Sequence, residues 1–166
     1  MTKRIELFNE VMRLENDTSS RNYQDALLRR ARVYAVQKKY DLALADYDGI
    51  DYVTTQCRYS ESLYGERGDV KFALGDLHGA IADYSETTVY SARYNRGFAY
   101  EKLGETEKAV ADYTVAIENA IEFKKRFPTW RRFASAVPRE GCADPHLITL
   151  DELKEIRDRL LAEESF

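Results

Sequence analysis

Side chains able to do chemistry are sparse in this chain. Its 166 residues include two histidines, His78 and His146, and two cysteines, Cys57 and Cys142. Cys142 and His146 stand close enough in sequence to share a metal ion, but a zinc centre takes three or four such ligands. No further Cys or His lies beside them, so no metal is expected. The cysteines are far apart in sequence, and two free thiols in a reducing, cytoplasmic setting are the expected state. Gly65-Glu66-Arg67-Gly68 has glycines but neither the lysine nor the strand-loop-helix setting of a phosphate loop. No Ser, His and Asp arrangement stands out. The expectation is a non-enzymatic protein with no catalytic residues and no cofactor.

One recurrence does carry chemistry of another kind. Arg30, Arg67 and Arg96 each stand 16 residues before an aspartate, namely Asp46, Asp83 and Asp112. A guanidinium can meet a carboxylate through two parallel hydrogen bonds, a geometry that lysine cannot copy. These residues are therefore expected to pair, within one repeat or across a junction such as Asp83 with Arg96. The aspartates belong to a phrase that occurs three times: Ala43-Leu44-Ala45-Asp46-Tyr47, Ala80-Ile81-Ala82-Asp83-Tyr84 and Ala109-Val110-Ala111-Asp112-Tyr113. Three copies of Ala, aliphatic, Ala, Asp, Tyr make an internal repeat.

The elements that must position these residues read as helices. Hydrophobic residues make up 44% and charged residues 33%, an ordinary folded composition, and three prolines with eight glycines favour helix. No apolar run approaches the length of a membrane span. The net charge of −4 gives no general attraction for nucleic acid or acidic membrane. Ile5, Phe8, Val11, Met12 and Leu14 share one face of a helix over residues 3–15, expected to cap the open end of the array. Each repeat reads as two amphipathic helices with a tight turn. Gly75 and Gly104 stand where the backbone needs a left-handed residue, and Lys38 holds that place in the first copy at some cost. Ala31, Gly68 and Gly97 on the first helices, with Ala43, Ala80 and Ala109 on the second, allow close approach, and the phrase tyrosines fill the space beside them. The last repeat helix should run on to Phe127 and end at Pro128. Residues 128–148 form a proline-containing connector. Thr149-Leu150-Asp151-Glu152 is a capping box that opens a final helix striped by Leu153, Ile156, Leu160 and Leu161.

Residues 24–118 resemble three tetratricopeptide repeats, helix-turn-helix units with a period of about 34 residues. The order small, aromatic, Gly turn, Ala, aromatic, Ala carries the likeness and is best kept in Tyr94 to Ala116. The copies start at Ala43, Ala80 and Ala109, with spacings of 37 and then 29 residues, so both junctions should be irregular. The resemblance implies an all-α, right-handed α-α superhelix, a solenoid of three repeats with capping helices. It implies one domain over 1–166, with an N-terminal cap at 1–20, repeats at 24–118, a connector at 128–148 and a C-terminal cap at 149–164.

It also implies a use. First helices in this family line a concave groove that holds an extended peptide. By position, that groove would show Arg29 and Arg32, then Glu66, Asp69 and Phe72, then Tyr94, Asn95, Phe98 and Lys102. The arginines could neutralise Glu66 and Asp69, and the rings are the better candidates for contact. Some family members clamp a C-terminal carboxylate with Lys, Asn and Arg. Leu28 and Arg32 occupy two of those places and only Asn95 matches, so that clamp is not expected. A protein or peptide partner is therefore expected, with a second copy of the chain among the candidates. The alternative is nucleic-acid or acidic-surface binding through residues 123–133, where Lys124, Lys125, Arg126, Arg131 and Arg132 alternate with Phe123, Phe127, Trp130 and Phe133. Nucleic acid is the weaker expectation, because the net charge is negative and no nucleic-acid motif accompanies the cluster.

Overall fold

In the computed structural model of the chain, residues 2–51, 60–87, 90–126 and 150–163 are described. They contain eight helices and no strand: α1 (Thr2–Leu14), α2 (Arg21–Val36), α3 (Tyr40–Asp48), α4 (Ser60–Ala73), α5 (Leu77–Ser85), α6 (Tyr90–Lys102), α7 (Thr106–Arg126) and α8 (Leu150–Glu163). Cys57, Cys142, His146, Pro128 and residues 127–133 of the basic-aromatic stretch lie outside the described residues. The chain divides into two compact units, Met1–Leu63 and Tyr64–Phe166.

Local chemistry sets the helix boundaries. Ser20 caps α2 by accepting from the Tyr23 N–H, and Asp76 caps α5 by accepting from the Gly79 N–H. The turn inside each repeat closes the same way three times. The N–H of Lys39, Asp76 and Glu105 donates to the carbonyl of Tyr34, Lys71 and Tyr100, at 2.9, 3.0 and 2.9 Å. This is a Schellman closure, and it needs a left-handed residue just before the donor. Gly75 and Gly104 supply it with φ of 84° and 74°, whereas Lys38 is held at φ 58°. The first turn therefore stores a strain that the other two avoid.

In the first unit, α2 packs on α3 and α1 packs on α2. Ala26, Leu27, Ala31, Ala35, Ala43, Tyr47 and Ile50 are buried there. None of the α1 residues is fully buried. Ile5, Phe8, Val11 and Met12 are half-buried, and Leu7 and Leu14 remain 61% and 65% exposed.

In the second unit, Ala80, Tyr84 and Ala92 form one small core with Phe72 against it. Ala109, Tyr113, Ala116, Ile117, Leu153 and Leu160 form another, joining α7 to α8. The alanine stations are fully enclosed, and among the described residues Tyr47, Tyr84 and Tyr113 are the largest side chains wholly removed from solvent. The glycines opposite them explain why. A Cβ on Gly68 would stand 2.7 Å from the Tyr84 ring, and one on Gly97 would stand 3.0 Å from the Tyr113 ring. The small residue and the tyrosine are two halves of one packing choice.

Candidate partner-binding site

The recurrent arginines and aspartates meet in every copy. Arg30 grips Asp46 with Nε–Oδ2 at 2.8 Å and Nη2–Oδ1 at 2.6 Å. Arg67 holds Asp83 at 2.8 and 2.6 Å, and Arg96 holds Asp112 at 2.7 and 2.7 Å. Each contact is bidentate and lies within one repeat, not across a junction. The three aspartates are buried, and Asp83 also takes Lys71 Nζ at 2.9 Å. Hydrogen bonding to the aspartate raises the Arg30 and Arg96 guanidinium pKa above its ordinary value, so both stay charged at any working pH. These pairs tie first helix to second helix and thereby fix how the first helices present their other faces.

That presentation is clearest in the second unit. Phe72 of α4 stacks on Phe98 of α6, with ring centroids 5.3 Å apart and an interplanar angle of 27°. Lys102, one turn further along α6 and exposed, carries its ammonium 5.2 Å from the Phe98 centroid. Beneath this face, buried Asp69 accepts from Tyr84 Oη at 2.8 Å and from Asn95 Nδ2 at 2.8 Å. One carboxylate so links α4, α5 and α6. Asn95 is itself buried, and its Oδ1 has no hydrogen-bond partner. Tyr94 leans on Tyr113 with centroids 5.7 Å apart, a core contact on the inner side of α6. Glu66 is half-buried on α4.

In the first unit, Arg29 is exposed and bonds Asp25 one turn back at 2.6 Å, and Arg32 is exposed. Phe72, Phe98 and Lys102 thus form one surface, while Asp69 and Asn95 form the buried polar floor below it. The family resemblance placed Asp69 and Asn95 with the surface residues, because a position in a repeat gives a face and not a depth. Nothing in the sequence told which carboxylate would receive the Tyr84 hydroxyl.

Among the described residues, no group of three His, Cys, Asp or Glu side chains could hold a metal ion. No helix among them is long and apolar enough to cross a membrane.

Paired helices repeated along the chain, with the same turn and the same ion pair each time, define an all-α repeat solenoid. Comparison with known proteins agrees. The family model of the tetratricopeptide repeat matches residues 90–121, which are α6 and most of α7. A crystal structure of MamA has a TM-score of 0.59 at 16% identity, over 97% of this chain and 86% of that one. A second MamA structure has a TM-score of 0.56 at 16% identity, over 99% of this chain and 90% of that one. At such identity the likeness concerns the fold. No curated protein matches the chain significantly. The tetratricopeptide-repeat match therefore covers one helix pair, and the rest of the chain shares the all-α repeat fold of these structures.

Proposed function

We propose that this protein is a non-catalytic scaffold that holds a protein or peptide partner along the first-helix face of its second unit. The stack of Phe72 on Phe98, topped by the Lys102 ammonium, is the observation that carries the reading. Aromatic rings supply apolar contact area at low entropic cost, and a cation at the edge favours a partner that sets an acidic group beside an apolar one. Both first helices are already fixed by their Arg–Asp pairs and by the Asp69 bridge. Little ordering is then required on binding, and affinity benefits. Tyr94, Asn95, Glu66 and Asp69 shape this surface from its flank and floor.

The test is capture of partners from the native cell with the wild-type chain and with Phe98→Ala/Lys102→Glu, both checked for folding by circular dichroism. The partner recovered by the wild type should fall at least about tenfold with the double variant, as expected for loss of an aromatic anchor and its cation. Undiminished capture would sink the reading. A salt series on the same complex separates the rival class, because phosphate binding weakens steeply with salt and an aromatic face does not.

A further inference from the structure

The family resemblance gives α8 the part of a cap, yet its contacts repeat those that α6 makes. Helix α6 buries Ala92 and Ala99, seven residues apart. Helix α8 buries Leu153 and Leu160 at the same separation, in the core that holds Tyr113 and Ile117 of α7. In this register Arg159 of α8 stands where Phe98 stands on α6. Glu101 in turn follows Gly97 by four residues, as Phe72 follows Gly68. The two stations meet in both cases. Phe98 stacks on Phe72 between α4 and α6, and Arg159 Nη2 donates to Glu101 Oε1 at 2.7 Å between α6 and α8. The face that bears the ring stack therefore continues onto α8.

The chemistry changes along that face from apolar to cationic. Glu101 is held from two sides, because its other oxygen accepts from Tyr113 Oη at 2.8 Å. It thereby fixes one edge of the Arg159 guanidinium. The Nε edge is met only loosely. Glu163 Oε1 stands 3.9 Å from Nε, too far for a hydrogen bond, and both side chains are exposed. Lys102, beside Glu101 on α6, is exposed and has no carboxylate partner among the described residues, only the Phe98 ring.

We propose that α8 is a wall of the partner surface, where Arg159 together with Lys102 reads an acidic side chain of an extended peptide. The apolar residue of that peptide lies on the Phe72–Phe98 stack, and the Asp or Glu lies beyond it towards α8. This rests on the reading of the Phe72–Phe98 face as the partner surface. Glu163 marks the place of the incoming carboxylate. Its contact with Arg159 is an exposed ion pair, worth little by itself, so a peptide carboxylate able to bond Nε displaces it at small cost.

The test begins with an array of short peptides, random except for one central Phe, read with the labelled full chain. The wild type should enrich Asp or Glu on one side of that Phe. The best peptide, acetylated and amidated so that no terminal charge remains, is then measured by fluorescence anisotropy. Changing its acid to Gln should weaken binding to the wild type about two- to fivefold, as for one exposed ion pair. The same change should have a clearly smaller effect on Arg159→Gln, a variant that keeps a donor for Glu101 and whose helix content circular dichroism checks. Glu163→Gln should bind the acidic peptide more tightly, since a competing carboxylate is gone. Enrichment of apolar residues without any acid would overturn the role of Arg159 and leave the aromatic face standing. An equal loss in wild type and Arg159→Gln would overturn it too, as would binding that needs a free C-terminal carboxylate. An array with no bound peptide would overturn both this proposal and the reading on which it rests.

Discussion

Lys38 and Asp83 show how much rests on single residues. At φ 58°, Lys38 holds a conformation that costs a residue with a Cβ about 1–2 kcal/mol. Glycine removes that cost but loses more chain entropy on folding, so Lys38→Gly should stabilise the protein by a net ~0.5–1 kcal/mol. Urea denaturation should show a higher midpoint with an unchanged slope. Asp83 accepts from two cations, Arg67 and Lys71, and Asp112 from Arg96. Removing one partner of a buried pair costs ~3–5 kcal/mol, and the arginines here retain some exposure, so ~2–4 kcal/mol is expected for Asp112→Ala. Asp83→Ala should cost more, because two charges lose their partner. Equal midpoints for the two variants would contradict this ranking. Arg96→Lys should also destabilise, since lysine keeps the charge but not the two-pronged contact.

Between elements, the small residue opposite each tyrosine decides how near two helices come. Gly68 and Gly97 lie inside helices, where alanine is favoured by about 1 kcal/mol. A Cβ at Gly68 would stand 2.7 and 2.9 Å from Tyr84 ring atoms, closer than atoms can approach, whereas at Gly97 the nearest distances are 3.0 and 3.1 Å. Gly68→Ala should therefore cost ~1–3 kcal/mol through overpacking, and Gly97→Ala should be near neutral as helix propensity offsets a mild clash. Thermal melts of the two variants check the order. Ala31 is tolerated at this station in the first copy, fully buried on α2. The Asp69 bridge acts at the same scale. It joins three helices, so Asp69→Asn should loosen the Phe72–Phe98 face as well as the core. Partner capture should then fall more than it does for an exposed change on the same helix.

For the whole molecule, stacked helix pairs share their faces, so each core depends on the helix beside it. Leu7 and Leu14 on α1 and Leu161 on α8 remain exposed. Leu7→Glu should therefore leave the melting temperature within ~2 °C of the wild type, as for an exposed change. A larger fall in a thermal melt would show that this residue carries packing.

The sequence by itself determined the repeat: its three phrases, the helix pairs, the glycine turns, and the Arg and Asp stations set 16 residues apart. These are local or one-repeat relations, and a fixed spacing of 16 residues on a helix-turn-helix brings the same two positions together every time. The expected helix over 3–15 is α1, shifted by one residue at each end, because end residues fray and carry little signal. Only the tertiary structure decided depth. The family resemblance put Asp69, Asn95, Phe72 and Phe98 on one face, but packing of α4 against α6 sent the polar pair to the floor and left the rings above it. It also set each Arg–Asp contact within one repeat and not across a junction. That choice depends on which helices pack together, and no spacing within the chain records it.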